Sequence, residues 1–278
     1  MIAMMLAIIV LAMVYGTYSA QQRAYTNEKL VMDMQQNARS TLAFMRREIR
    51  MAGYNPRAVN GIDDDADGSV DESSEGVVAG FKVIRSDRIS FSFDLNGDGD
   101  DQDDNETITY RFKSADDGNS DGIADTGAAD LYRYYRDGSS ACSVLSFSVH
   151  ALAFAYAFDN DGDGALDTFP NSDVVIWAYD SSGDGDLDRY LDTNRDGVID
   201  ASDAVGGHSL KGDGITAADV PMSKVRAVQV WLLARTSYPI RGHVEHQTYV
   251  VGPQHITLTD NYKRTLLNGI VMIRNPHT

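Results

Sequence analysis

The sequence predicts an α+β protein: a long N-terminal helix, apolar in its first half and amphipathic in its second, packed on a mainly antiparallel β-sheet domain with Asp-rich calcium-binding loops. Three observations predict it. Residues 1–22 hold no charged residue, and a helical pattern then carries on to Gly53. Beyond residue 79 come short apolar or alternating runs of strand length. Between those runs lie segments rich in Asp, Asn and Gly, the residues that make tight turns.

The helix comes first. Residues 1–22 are enough to rise about 33 Å and cross a bilayer core. After Arg23, the residues Leu30, Met34, Ala38, Leu42, Met45, Ile49 and Ala52 recur at three- and four-residue steps. Arg39, Arg46, Arg47 and Glu48 fall on other faces. One helix is therefore expected to start in an apolar medium and end on a soluble domain, stopping at Gly53 with Pro56 soon after. A secretory signal peptide and a plain N-terminal anchor are the competing readings. The first lacks a basic n-region and gives no reason for the period to continue past residue 22. The division is residues 1–53 for the helix and 54–278 for a β-rich head.

The predicted strands are 80–84, 88–93, 107–112, 131–136, 144–158, 174–179, 224–236, 246–251 and 269–274. In the third, Ile108, Tyr110 and Phe112 share a face, as in a strand covered on one side. The amphipathic half-helix is the natural cover. The run 131–136, with Tyr132, Tyr134 and Tyr135, is read as a half-buried strand, with an adhesive or subunit-contact surface as the other reading.

Composition narrows function. A net charge of −17, from 41 acidic against 24 basic residues, argues against nucleic acid as a partner, because phosphate backbones need clustered Lys and Arg. Hydrophobic content of 43% supports a real core. The single cysteine, Cys142, rules out an internal disulfide and reads as a buried thiol or an intermolecular bridge. His243, His246 and His255 approach a metal pair only on paper. Their stretch reads as a turn entering a strand, so they are expected in solvent. No nucleophile elbow or phosphate-binding glycine loop is present, so neither an enzyme nor a small-molecule substrate is expected.

The acids gather in a repeated pattern: oxygen-bearing side chains at positions 1, 3 and 5, glycine at 6, and usually Asp at 9. The six loops span 63–75, 94–106, 117–130, 159–173, 180–191 and 192–203. The first carries Asp63, Asp65, Asp67 and Asp71; the second Asp94, Asn96 and Asp98; the third Asp117, Asn119, Asp121 and Asp125. The fourth carries Asp159, Asp161, Asp163 and Asp167; the fifth Asp180, Ser182, Asp184 and Asp188. The sixth carries Asp192, Asn194, Asp196, the Val198 carbonyl, Asp200 and Asp203. Calcium takes six to eight oxygens, and alternate residues of a tight loop all turn inward, with glycine permitting the bend. Several calcium ions are therefore expected. Only the sixth loop supplies its own position-12 carboxylate, so the first four are expected to borrow one: Glu75, Glu106, Asp130 and Asp173 respectively. The 12-residue step from Asp180 to Asp192 suggests adjacent sites sharing a ligand. The competing reading is a set of solvated acidic turns.

Two resemblances follow from these residues. The loops resemble those of dockerins and thrombospondin type 3 repeats more than paired EF-hands. Residues 1–22 with QNARSTLAFMRREIRMAGY (36–54), and at the far end 224–237 and 260–276, resemble type IV pilin-like proteins, closest to the PilW-like minor pilins and J-type pseudopilins. The family's basic leader, cleavage site and early glutamate are not seen in residues 1–22. The resemblance implies a structural subunit of a type IV pilus-like surface filament, held in the inner membrane before assembly. It implies polymerisation with other pilin subunits through the N-terminal helix, whose residues 1–22 form the filament core, and a head usable in adhesion. A membrane-anchored calcium-binding adhesion module that never polymerises, or a pseudopilin of type II secretion, are the alternatives.

Overall fold

A computed structural model describes residues 2–55, 80–98, 100–135 and 141–274. Its first element is a single helix, α1 (Ile2–Ile49), of 48 residues and about 72 Å. The 18-residue window that defines it as apolar has a mean hydropathy of 2.0 and no buried residue. From Met34 onward one stripe is buried: Met34, Ala38, Thr41, Leu42, Met45 and Ile49, the period the sequence predicts. Burying each large apolar side chain there contributes roughly 1.5–3 kcal/mol. The predicted stop at Gly53 is corrected by a few residues. The helix ends at Ile49, and the chain turns over until Gly53, at φ +75°, donates its N–H to Ser92 O at 2.9 Å. Glycine takes that left-handed angle without a Cβ clash.

The head is built from β1 (Phe81–Ile84), β2 (Ile89–Ser92), β3 (Thr107–Arg111), β4 (Ala129–Tyr134), the long β5 (Cys142–Phe158), and short β6 (Ala178–Tyr179), β7 (Asp186–Leu187), β8 (Arg189–Tyr190), β9 (His208–Ser209) and β10 (Val220–Pro221). Then follow β11 (Val225–Arg235), β12 (Thr248–Val251), β13 (Gln254–Thr257) and β14 (Arg264–Met272). All strand pairings are antiparallel. β1 to β5 are adjacent in order, β11 lies on the other side of β5, and β14 is added to β11. Val149 shows both sides at once, paired with Ala129 of β4 and with Ala234 of β11. α1 lies across β14, β11 and β5, as the amphipathic pattern requires.

β5 is buried without a break from Val149 to Phe158. Leu152, Phe154, Tyr156 and Phe158 point to one face, where Phe81 meets Tyr156 edge-on at 6.1 Å. Ala151, Ala153, Ala155 and Ala157 line the other, and the β12–β13 hairpin approaches it closely. A Cβ on Gly252 would stand 2.6 Å from the Ala153 Cβ. Small residues are needed at such an approach.

Some strand predictions shift. The run 174–179 keeps only Ala178–Tyr179 as strand, because Val174 O and the Ile176 N–H bond to the loop residues Phe169 and Asp167 instead of a ladder. The last strand starts at Arg264 rather than 269, since β11 is long enough to pair with it from Arg235. The hairpin partner Gln254–Thr257 was not predicted. Cys142 is half-buried at the start of β5 rather than fully buried. Of the histidines expected in solvent, His246 is exposed, whereas His243 is half-buried with its Nε2 3.6 Å from Glu245 Oε2.

Candidate functional site

The Asp loops join the strands just described, and their first residue is buried in every described case: Asp94, Asp117, Asp159, Asp180 and Asp192 are each at most 6% exposed. Burial of a bare carboxylate is costly unless N–H groups point at it. They do. Asp117 accepts from Asp121 N–H and Gly122 N–H, both at 3.1 Å. Asp159 accepts from Gly162 at 2.7 Å and Gly164 at 3.2 Å, Asp180 from Gly183 at 2.5 Å and Gly185 at 2.9 Å, and Asp192 from Asp196 at 3.2 Å and Gly197 at 2.8 Å. Asp94 accepts from Gly97 at 2.5 Å. The position-6 glycines Gly122, Gly164, Gly185 and Gly197 stand at φ +82°, +87°, +94° and +89°. That left-handed turn aims the glycine N–H back at the first Asp, which is why the spacing in the sequence is so regular.

Two ways of closing the loop emerge. In the third, fourth and fifth loops the position-9 carboxylate takes the N–H of position 2: Asp125 from Gly118 at 2.9 Å, Asp167 from Asn160 at 3.4 Å, Asp188 from Ser181 at 2.8 Å. In the second and sixth a later carboxylate does so. Glu106 Oε1 takes Leu95 N–H at 2.9 Å and Asn96 N–H at 3.3 Å, and Asp203 Oδ1 takes Thr193 N–H at 2.6 Å and Asn194 N–H at 3.3 Å. Glu106 thus takes the N–H groups at the start of the second loop. The third loop is closed by Asp125, while Asp130 belongs to β4, and Asp173 is exposed beside the fourth. Among the described residues the fifth and sixth loops close on separate carboxylates, Asp188 and Asp203, rather than on a shared one. The first loop, with Asp63, Asp65, Asp67, Asp71 and Glu75, lies outside the described residues.

Among the described residues, ligand atoms converge within 4.8 Å of one another in two groups, Asp159–Asp161–Asp167 and Asp98–Asp100–Glu106. The second group includes Asp100, whose position 7 in the loop is expected to offer only its backbone carbonyl. All the donors in both groups are carboxylate oxygens, the chemistry a hard divalent cation requires. In the second, third and sixth loops the position-3 amide instead bridges to position 5: Asn96, Asn119 and Asn194 donate Nδ2 to Asp98, Asp121 and Asp196 at 3.0, 2.9 and 2.9 Å. A cation would take the amide oxygen there, which asks for a turn of the amide. Burial pushes Asp117, Asp167 and Asp192 above the ordinary carboxylate range. At Asp159 burial pushes the same way, but N–H bonds from Gly162 and Gly164 and the Arg226 guanidinium outweigh it, and its pKa falls. Carboxylates held together at such a cost are stabilised by a bound positive ion.

A second cluster ties the helix to the head. Glu48, near the end of α1, forms a two-pronged ion pair with Arg133 of β4: Nη2 to Oε1 and Nε to Oε2, each 2.9 Å. The buried hydroxyl of Tyr110 on β3 donates to Glu48 Oε2, and Asn105 Oδ1 takes the remaining Arg133 Nη1 at 3.0 Å. Burial, then the Glu48 charge, raises the Tyr110 pKa well above its usual value. The sequence places Glu48 off the apolar stripe, but its partners come from strands more than sixty residues away. Asn37 adds a bond to Ser146 Oγ at 3.1 Å, and Arg46 to Ile270 O at 3.1 Å. The tyrosine run of β4 is a half-buried strand, with Arg111 over Tyr134 and Lys113 over Tyr132 at 4.3 and 4.0 Å.

A family model described as type IV pilus-assembly protein W matches residues 109–275. Among solved structures, the chain is similar to a type IV-like pilin from Thermus thermophilus, 14% identical, with 88% of this chain and 100% of that chain covered at a TM-score of 0.43. No curated protein matches.

Proposed function

The chain belongs to the family of type IV pilus-assembly protein W and is a pilus-related structural protein; on that premise we propose that it polymerises through α1 into a surface filament, with a calcium-stabilised head facing outward. One observation carries the proposal. Among the described residues, the most apolar stretch of α1 is wholly unburied, yet it is continuous with a half clamped to the sheet by Met34, Ala38, Leu42, Met45, Ile49 and the Glu48–Arg133 pair. Such a rod needs lipid before assembly, in the inner membrane, and the helices of other pilin subunits after it. The Asp loops supply the staple that a chain with one cysteine cannot obtain from an internal disulfide. Where bare, their carboxylates repel; where calcium is bound, its binding free energy becomes folding free energy. The outward head is available for adhesion.

Imaging of native filaments, with and without a calcium chelator, tests this. Filaments that contain the chain and fray on chelation are expected. A chain found only as a membrane-bound monomer would replace the polymer with an anchored module, and filaments indifferent to chelation would reduce the loops to acidic turns.

A further inference from the structure

The chain carries a net charge of −17, yet one cleft beside the end of α1 is lined by Arg46, Arg47, Arg50 and Arg274, with Ala43 and Met51 between them. All four arginines are exposed. Among the described residues none of them forms an ion pair with a carboxylate. The helix dipole accounts for cations in the last turn, Arg46 and Arg47, but not for Arg274, which arrives from beyond β14. Gathered like charges repel unless an anion sits among them.

The fold places an anion source on the opposite flank. Arg46 and Glu48 point about 200° apart around the helix, Arg46 toward β14 and Glu48 toward β3 and β4. β14 is one edge of the run of paired strands, while the acidic loop between β2 and β3 lies toward the other. That loop holds six Asp and one Glu between positions 94 and 106, with Asp103 and Asp104 exposed and outside the converging group Asp98–Asp100–Glu106. It also sits level with the helix end, since Asp94 N–H donates to Tyr54 O at 2.8 Å. A lipid headgroup is the wrong anion. Arg46 stands about 36 Å along the helix from Gln22, far outside a headgroup layer.

We propose that the four-arginine cleft receives the β2–β3 loop of a second copy of this chain, side by side in the filament. The inference rests on the polymerising reading above. A basic flank meeting an acidic flank is a head-to-tail contact, which repeats without closing and so suits a helical polymer.

The test compares filaments recovered from cells expressing the full chain. Arg46→Glu with Arg50→Glu should cut filament yield about tenfold or more, as should Asp103→Lys with Asp104→Lys, which lie outside the converging carboxylates of that loop. Combining the two sets should restore most of the yield. Unchanged melting of each purified chain shows that the head still folds, and Arg46→Gln with Arg50→Gln should give a smaller fall in the same direction. Full yield from the arginine variants overturns the proposal. So does a fall that the combined variant does not repair, which would give the cleft another occupant. Absence of filaments in the unaltered chain would instead bring down the polymer reading, and this contact with it.

Discussion

Replacing Glu48 by alanine should unfasten the helix from the head. In the intact protein the carboxylate accepts bonds from Arg133 Nε at 2.9 Å and Nη2 at 2.9 Å, and a further one from the Tyr110 hydroxyl. The two charged side chains are 12% and 15% exposed, so the pair is close to the buried limit. Removing one member of a buried pair costs about 3–5 kcal/mol, mostly because the other charge is stranded. Asn105 keeps one prong of Arg133 satisfied, which favours the lower end, and the orphaned Tyr110 hydroxyl adds about 1 kcal/mol. A loss near 4 kcal/mol corresponds to roughly 8–16 °C in melting temperature for a head of this size. Glu48→Gln, which keeps an acceptor but loses the charge, should fall between. The assay is thermal unfolding of the full chain in detergent, followed by circular dichroism, with Arg133→Ala and the double variant completing a cycle. The double variant should be little worse than either single one, a non-additivity expected of direct partners. Melting of Glu48→Ala within about 2 °C of the unaltered protein, or strict additivity in the cycle, would refute the reasoning.

Calcium at a hundredfold excess over its dissociation constant should add about 2.7 kcal/mol per occupied loop, so a chelator should lower the melting temperature and Asp192→Ala should remove part of that response; equal melting with and without chelator would contradict the loop assignment. Gly122→Ala should destabilise the head by at least about 1 kcal/mol whether or not calcium is present, because Gly122 stands at φ +82° and a Cβ there would lie 2.4 Å from Leu152 O; denaturant titration reads it. His150 gives a pH signature. It is 4% exposed, and burial, reinforced by the Arg264 and Arg235 cations, lowers its pKa from 6.5 to about 4. The unfolded chain therefore takes up this proton first, so stability is full above about pH 6.5 and falls by about 3 kcal/mol as pH drops toward 4. Urea melts across that window should show the slope, and His150→Gln should flatten it.

The helix and its buried face were legible from residues 1–53 alone, because an uncharged stretch and a 3.6-residue period are properties of neighbours in the chain. The Asp loops were legible for the same reason. Position 1, the glycine at 6 and the Asp at 9 act within one turn, and the bonds of Asp159 to Gly162 and Gly164 are that local chemistry. Family membership was likewise readable from the two ends, and the match over 109–275 supports it.

What the sequence could not decide was anything set by distant strands. Asp125 rather than Asp130 closed the third loop, because Asp130 is taken into β4. Glu48 read only as a charge on another face of the helix until the sheet brought Arg133 and Tyr110 to it. The arginine cleft needed β14 to end beside α1 before Arg274 could join Arg46, Arg47 and Arg50. Periodicity and turn chemistry are written in adjacent residues, whereas ion pairs across a sheet depend on strand order and register, which only the packed core settles.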